Sequence, residues 1–403
     1  MARTLFTNGR VFDGTGTAAV AGEVVVADGR IVAVGTGLDG DTAVDLRGRT
    51  LLPGFFDCHT HVMISHVNLF ALMQAPFSLV FYEGAKNLKA TLETGITSVR
   101  DAGGADLGVK TAVDTGMIPG PRMQISLTML SQTGGHGDGW LPSGHTYHLF
   151  VPHPGRPDAV VDGPDQVRHK VRQLIQMGAD VIKVATSGGV LSPRDDPRHA
   201  HFTLEELTVL VDTAAGLGRR VMAHAQATDG IKNAIKAGIR SIEHGIYLDD
   251  EAIQMMLDRG TYLVPTLVAP TGVIRAAEAG AAIPEASVRK AREVVEIHRD
   301  SFRRAVAAGV KVAMGTDSGV TPHGDNLEEL ALMAAGGMKP WEVLQATTRV
   351  AAECLGVEAD RGTIAPDQRA DLVVLDGDPM DFTAMRDRVA AVYLDGNLVA
   401  GGV

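Results

Sequence analysis

Strand-like and helix-like segments alternate along the middle of the chain, roughly from residue 55 to residue 360. The strand candidates are short apolar runs, eight in number: the run ending at His59, then 96–99, 123–127, 181–185, 220–223, 241–243, 262–265 and 310–314. Helix signals lie between them; Thr203 and Glu206 form a capping-box pattern ahead of an apolar-periodic stretch that stops at Gly216. Eight successive strand–helix units favour a closed parallel barrel of the α/β class over an open sheet.

Both ends of the chain consist of short strand-like pieces separated by turn signals. Near the N-terminus, for example, Asn8-Gly9 predicts a tight hairpin. Neither end has enough sequence to bury a core of its own. We therefore expect residues 1–55 and 360–403 to form one small β-domain, a β-sandwich, and residues 56–359 to form the barrel.

Composition excludes several classes of protein. The chain has 403 residues, a net charge of −11 and no cluster of Lys and Arg, which argues against a nucleic-acid-binding protein. Its two cysteines, Cys58 and Cys354, are too few for a disulfide framework. No apolar run approaches the ~18 residues of a membrane span, and the N-terminus lacks the apolar core of a signal peptide. We therefore expect a soluble cytoplasmic protein without membrane or nucleic-acid partners.

Two histidines, His59 and His61, stand at the end of the first predicted barrel strand. Alternate residues of a strand point to the same side, so both imidazoles face one direction. Two neutral imidazoles side by side are half of a metal site that needs further ligands. On its own a His-x-His pair is more often an ordinary surface or core pair that binds no metal. The prediction of a metal site therefore depends on the residues at the other strand ends.

Four more strand candidates end in residues that can bind metal. Lys183 lies among apolar neighbours, His224 and His244 follow the next two strand candidates, and Asp317 follows the last one. Taken singly, Lys183 is interpreted as a lysine paired with a carboxylate, and each histidine as a hydrogen-bonded core residue. Active sites of parallel barrels lie at the carboxyl ends of the strands, so the five strand ends together predict a metal centre.

The order His-x-His, Lys, His, His, Asp resembles that of the amidohydrolase superfamily, the binuclear-metal hydrolases built on a distorted (β/α)8 TIM barrel. The segments PGFFDCHTHV, VIKVATSGGV, VMAHAQ, IEHGIYLD and MGTDSG are similar to those of its imidazolonepropionase-like branch, which holds Xaa-Pro dipeptidases, arginine/lysine carboxypeptidases and ochratoxin-degrading amidases. The resemblance covers nearly the whole chain, including the small β-domain from both ends. It implies a hydrolase that acts on carbon–nitrogen bonds.

The resemblance also implies ligands for two divalent metal ions. His59 and His61 would bind the more buried ion together with Asp317, His224 and His244 would bind the second, and Lys183, carboxylated by CO2, would bridge both. This donor set suits Zn²⁺ best, although Mn²⁺ or Co²⁺ would fit. Metal binding lowers the pKa of a water from about 15.7 towards ~7, so that a hydroxide can attack the amide carbonyl. Asp317 would pass the proton to the leaving nitrogen, which makes Asp317 and Lys183 the predicted catalytic residues.

Substrate contacts are expected from the long loops that follow the strands. Residues 130–160 contain a GGHG stretch, whose histidine contacts the substrate's carboxylate in the dipeptidase-like relatives. The resemblance therefore assigns that role to His136; a surface histidine on a flexible loop is the alternative. Residues 187–202 are expected to cover the site as a lid. The proline-cleaving relatives carry Tyr two residues after the histidine that corresponds to His224, whereas this chain has Gln226, a departure that weighs against proline specificity. Gln226 is the second predicted substrate contact.

The sequence thus predicts a metal-dependent amidohydrolase, expected as a homo-oligomer, that cleaves the amide between an acyl group and an α-amino acid. Its substrates would be dipeptides or N-acyl amino acids, including ochratoxin-like amides. A hydrolase of cyclic amides, of the imidazolonepropionase type, is the alternative within the same class. A barrel that has lost catalysis and serves as a scaffold is the alternative from another class, and the six filled ligand positions oppose it.

Overall fold

The computed structural model describes residues 2–16 and 18–403. Its strands, numbered in chain order, are β1 (Thr4–Val11), β2 (Val20–Ala27), β3 (Arg30–Gly35), β4 (Thr42–Asp45), β5 (Thr50–Pro53), β6 (Phe55–Thr60), β7 (Ile96–Asp101), β8 (Arg122–Ile125), β9 (Met129–Leu130), β10 (Val181–Ala185), β11 (Arg220–Ala225), β12 (Ser241–His244), β13 (Tyr262–Val264), β14 (Leu372–Leu375), β15 (Val389–Leu394) and β16 (Asn397–Gly401).

The helices lie mainly between the strands of the middle region. They are α1 (Leu69–Gln74), α2 (Leu79–Leu92), α3 (Leu107–Asp114), α4 (Pro164–Gln176), α5 (Leu204–Gly216), α6 (Thr228–Ala237), α7 (Asp250–Arg259), α8 (Val268–Glu278), α9 (Glu285–Ala308), α10 (Glu328–Ala335), α11 (Pro340–Ala346) and α12 (Arg349–Leu355), with a 3-10 turn at Met385–Arg388. The predicted capping box is confirmed, since Thr203 and Glu206 each bond the other's backbone N–H ahead of α5. Among the described residues, no helix has the length and apolar character needed to span a bilayer.

Strands from the two chain ends share one sheet, in the order β16-β15-β14-β5-β1-β2-β3, with β4 paired to β1. The two ends join where β14 runs antiparallel to β5, with Val373 opposite Leu52. Side chains from both ends fill its core; Phe6 and Tyr393, for example, meet edge to face at 5.0 Å. The prediction that the ends meet is confirmed. The described strands pair as one sheet, so a separate β-sandwich domain stays a prediction.

The predicted hairpin at Asn8-Gly9 is wrong, because β1 continues through both residues. The pairing of β1 with β2 shifts register between Phe6 and Gly9. Asn8 takes a φ of 56°, and a Cβ on Gly9 would lie 2.6 Å from the Leu46 side chain. Asn8 and Gly9 therefore form an irregularity, similar to a β-bulge, that lets β1 pass close to the Leu46 side chain.

The middle of the chain contains two parallel sheets, ordered β6-β7-β8 and β13-β12-β11-β10-β9. Seven of the eight predicted strand segments correspond to these strands. The segment predicted at 123–127 corresponds to β8, which ends at Ile125, and Leu127, between β8 and β9, takes a φ of 67°. Parallel strands present all their carboxyl ends at one edge, and this edge is where the site lies.

The eighth predicted strand, 310–314, does not form a continuous ladder, and the predicted closed barrel is seen as two separate sheets. This segment makes an isolated parallel bridge between Val312 and Leu263 of β13. On its other side the Met314 oxygen accepts the Cys58 N–H of β6 at 2.8 Å. The Met314 N–H turns instead to Ala346, at 2.9 Å, which interrupts the regular pairing.

Candidate active site

The predicted site residues meet in one cavity at the carboxyl ends of the parallel strands. The six predicted ligands, here called the ligand cluster, are His59 on β6, His61 just after it, Lys183 on β10, His224 on β11, His244 on β12 and Asp317 just after 310–314. All six line one cavity of about 1400 Å³, a volume that includes open solvent at its mouth. His136 and Gln226 line the same cavity. The structure thus brings together every residue that the sequence singled out.

Distances within the ligand cluster are those of groups that face a common centre. Asp317 Oδ1 lies 3.4 Å from His59 Nε2 and 3.2 Å from His61 Nε2. His59, His244 and Asp317 each offer a ligand atom, and these atoms lie within 4.8 Å of one another. The Lys183 Nζ is 3.5 Å from His59 Nε2. One divalent ion could therefore reach several of these atoms with small adjustments.

Three imidazoles of the cluster are held by their Nδ1 atoms, which leaves each Nε2 turned to the centre. The partners of Nδ1 are a Glu243 oxygen for His59 at 2.8 Å, the Gly103 oxygen for His61 at 2.9 Å and the Thr266 hydroxyl for His244 at 2.7 Å. His224 is reversed: its Nε2 contacts the Gly188 oxygen at 3.1 Å, so its Nδ1 is the nitrogen available as a ligand. Such outer partners fix the tautomer and orientation of metal-binding histidines.

The charges of the cluster match what metal ions require. Burial lowers the pKa values of His224 and His244 well below the usual range, so both imidazoles are neutral. Burial alone would raise the pKa of Asp317, but two adjacent imidazoles of the cluster hold it well below its usual range, so it is a carboxylate. Burial also lowers the pKa of Lys183 to about 8. Neutral imidazoles and a carboxylate are the forms that bind divalent cations.

Two residues of the ligand cluster have strained backbones. His244 and Asp317 take φ values of 71° and 60°, in the left-handed region that residues other than glycine seldom adopt. Thr266, which contacts His244, has a φ of 51°. Strain of this kind persists where the surrounding structure enforces it, and it concentrates at functional sites.

The two predicted substrate residues occupy different surroundings. His136 stacks on His224, with ring centroids 4.1 Å apart and an interplanar angle of 16°, so it lies within the site rather than on the surface. The Gln226 side chain is buried, and its Oε1 has no hydrogen-bond partner among the described residues. An unpaired buried oxygen in a cavity wall is a candidate contact for a substrate donor.

Comparison with known proteins identifies the family. The sequence model of the Amidohydrolase family matches residues 50–399. The chain belongs to the amidohydrolase family. It is 34% identical over 403 residues to the ochratoxinase of Aspergillus niger, an alignment that covers 94% of this chain and 82% of that protein. It is 27% identical to the imidazolonepropionase of Rhizorhabdus wittichii over 88% of each chain.

Solved structures agree with the sequence relatives. The structure of a Xaa-Pro dipeptidase with bound methionine matches this amidohydrolase with a TM-score of 0.90 and 33% identity, over 99% of this chain and 100% of that one. The fold is therefore the α/β, TIM-barrel type of amidohydrolases. Family and relatives together make this protein a hydrolase that acts on amide bonds, as the sequence predicted.

Sequence reasoning missed the residues that orient the ligands. Glu243 holds His59, and its other oxygen accepts hydrogen bonds from Arg100 at 2.9 Å and from Ser241. Burial would raise the pKa of Glu243, but Arg100 and His59 lower it to about 2, so a buried ion pair supports the ligand. The available signal was a charged residue directly before a candidate ligand in a short strand, and the structure shows that this strand is buried.

Proposed function

We propose that this amidohydrolase uses two divalent metal ions to hydrolyse the amide between an acyl group and an α-amino acid. Its substrates would be dipeptides or N-acyl amino acids, ochratoxin-like amides among them. The observation that carries the proposal is the convergence of four imidazoles, a carboxylate and a buried lysine on one centre, with the ring nitrogens already oriented by outer partners.

The donor set fits two ions. His59, His61 and Asp317 would hold one, His224 and His244 the other, and Lys183 would bridge them. Zn²⁺ suits imidazole and carboxylate ligands best, and Mn²⁺ or Co²⁺ would also fit. Burial lowers the pKa of Lys183 to about 8, so the uncharged amine that reacts with CO2 is more abundant near neutral pH than in an exposed lysine, which supports carboxylation. Bound ions would activate water and polarise the amide carbonyl.

The protein's own groups would supply the proton transfers. Asp317 is a carboxylate beside His59 and His61, and it lines the cavity. It can take a proton from the attacking water and return it to the departing nitrogen, which needs that proton to leave as an amine. Lys183 would act through its charge and position rather than by accepting this proton.

The cavity walls favour substrates with apolar groups. Leu72, Phe150, Leu191 and Val273 line the cavity, and the described lining includes no arginine. His136 would bind the carboxylate of the amino acid, and Gln226 would contact its neighbouring polar atoms. The 34% identity to an ochratoxinase over most of both chains supports an N-acyl amino acid as the substrate class.

A panel of N-acyl amino acids, dipeptides and cyclic amides, assayed for product and for metal content, tests the proposal. We expect free amino acid to be released from N-acyl substrates with aromatic or aliphatic side chains, and a chelator to stop the reaction. Ring opening without release of amino acid would favour the cyclic-amide alternative, which the relationship to imidazolonepropionase also supports. Full metal content without turnover of any substrate would favour the scaffold alternative.

We further infer that the two parallel sheets are parts of one distorted (β/α)8 barrel over residues 56–359, with 1–55 and 360–403 as a small β-sandwich domain. The bonds from 310–314 to Leu263 and Cys58 support closure between the sheets. A concentration of exposed apolar side chains within residues 70–82 supports a homo-oligomer; it comprises Phe70, Met73, Phe77, Leu79 and Tyr82. Two free cysteines suit the cytoplasm. Light scattering and localisation of a tagged protein would test the last two points.

A further inference from the structure

A buried lysine outside the ligand cluster is tied to the loop that faces the cluster. Lys290 lies on α9, and only 8% of its side chain is exposed. Its Nζ donates to the backbone oxygens of Gly189 at 2.9 Å, of Ser192 at 2.7 Å and of Asp195. It also lies 3.2 Å from Asp195 Oδ1. An ammonium group has three donor hydrogens, so the loop segment 189–195 uses all of them.

The same loop segment holds His136. The His136 Nδ1 lies 2.8 Å from the Ser192 hydroxyl and 3.2 Å from Asp195 Oδ2. Asp195 Oδ2 also accepts the Gly189 N–H at 3.1 Å, and its other oxygen accepts the Ser192 hydroxyl. One carboxylate therefore connects the lysine, the loop backbone and the imidazole.

The His136 ring has little freedom in this arrangement. One face stacks on His224, and a Cβ on Gly189 would collide with the ring. Its Nδ1 is engaged by the loop, whereas its Nε2 makes no hydrogen bond to another described residue. Because His136 lines the cavity, Nε2 is the atom that remains for a substrate.

We propose that Lys290 is a positioning residue for substrate recognition: it anchors loop segment 189–195 and, through Asp195 and Ser192, fixes the His136 ring. The inference rests on the proposed function, in which His136 contacts the substrate. It also changes the expectation for residues 187–202, whose central part is pinned beneath α9 and forms a fixed wall of the site rather than a moving lid.

Electrostatics explains why a charged residue is needed here. Asp195 is almost fully buried, with 3% of its side chain exposed, and a buried carboxylate without a cation nearby is costly. Burial alone would raise its pKa, but hydrogen bonds from His136 and Ser192 and the charge of Lys290 lower it to about 2. An apolar residue at position 290 would leave the carboxylate and three backbone oxygens with fewer partners.

A double-mutant cycle tests the proposal. Lys290→Met keeps an unbranched side chain and removes the charge; Arg289→Met, at a neighbouring position of α9 where the side chain is 64% exposed, is the control. With N-acetylphenylalanine as the probe, we expect Lys290→Met to lower kcat/KM roughly tenfold or more, mainly through KM. The reason is that a displaced His136 ring loses its charge-assisted contact with the substrate's carboxylate. In a His136→Ala background the same change should alter kcat/KM by less than about twofold.

Equal losses in the two backgrounds, or no loss in either, would overturn the proposal, since a merely structural lysine would act independently of His136. Lys290→Gln, which keeps two donor hydrogens, should lose less than Lys290→Met, and it serves for the same cycle if Lys290→Met does not fold. A crystal structure of the variant gives a readout without turnover: the His136 ring should leave its stacking position on His224. If the wild type cleaves no amide, the proposed function fails, and an unmoved ring would separately refute the role of Lys290.

Discussion

The ligand cluster stands on parallel strands or directly after them, whereas His136 and the residues that hold it come from two loops and a helix. Each imidazole of the cluster lies on a strand or directly after one and has one outer partner for its ring, as His59 has in Glu243 at 2.8 Å. His136 instead depends on Ser192, Asp195 and Lys290. The half of the site that is expected to carry the chemistry is therefore built mainly on strand ends. The half that faces the substrate is assembled from loops.

The largest effect is expected in the ligand cluster. His61→Ala should lose a metal ion and lower activity by well over 100-fold, because even the outer partners of metal ligands are typically worth 10–100-fold. Elemental analysis of the wild type should find about two divalent ions per chain. His145→Ala, at an exposed loop position, is the control. Fully active enzyme without bound metal would contradict the metal mechanism.

Asp317→Asn tests proton transfer at the same centre. Because general acid–base groups contribute roughly 10²- to 10⁴-fold, we expect kcat to fall by that order with a much smaller change in KM. Steady-state kinetics on the preferred amide measures both. A variant altered only in KM would move Asp317 from the chemistry to substrate binding.

Removing the outer partner of His59 should have a smaller effect. Glu243→Gln replaces a charged acceptor with a neutral amide, and we expect metal affinity to drop roughly 10–100-fold. Competition with a chromogenic chelator measures the affinity, and Glu278→Gln, where the side chain is 64% exposed, is the control. Equal affinities would show that the Arg100–Glu243 pair serves stability alone.

His136→Ala tests the part of the site that is formed by loops and is expected to face the substrate. A charge-assisted hydrogen bond to a carboxylate contributes roughly 1.5–3 kcal/mol, or about ten- to more than a hundredfold in kcat/KM. Converting the substrate's carboxylate to an amide should cost the wild type a similar factor, and His136→Ala should add little on that amide. Equal losses on acid and amide would mean that His136 does not recognise the carboxylate.

The last prediction concerns stability rather than activity, at His298, which contacts the cluster from α9. Its Nε2 lies 2.9 Å from the His244 oxygen, and burial lowers its pKa to about 4. The unfolded chain, with a pKa near ~6.5, binds the proton more tightly. The neutral His298 therefore stabilises the folded state most above pH ~6.5. The free energy of unfolding declines as the pH falls towards 4, by up to about 3 kcal/mol.

Denaturation of the metal-free protein between pH 7 and 4 measures that decline. His298→Gln keeps a donor for the His244 oxygen and removes the titration, so its unfolding free energy should fall less over this range. His145→Gln, at an exposed position, should follow the wild type. Parallel curves for wild type and His298→Gln would contradict the assignment.

Much of the fold could be predicted because its signals are local. Apolar runs marked seven of the strands, and the Thr203–Glu206 capping box marked the start of α5. Local signals failed where tertiary contacts prevailed. Asn8-Gly9 became a bulge because β1 continues past Leu46, and 310–314 lost regular pairing because Met314 bonds to Ala346.

The residues of the ligand cluster could be predicted from the sequence, because parallel strands carry their terminal residues to one edge of the fold whatever the loops do. His59 and His61 follow from the alternation of side chains along one strand. The orientation of the cluster's side chains and the position of His136 depend on contacts that form only when the chain folds. Lys290 stands 95 positions from Asp195 and 154 from His136 in the sequence, on a helix without any local sign of the contact. Its role exists because folding buries one carboxylate between a lysine and an imidazole, and no pattern along the chain encodes that proximity.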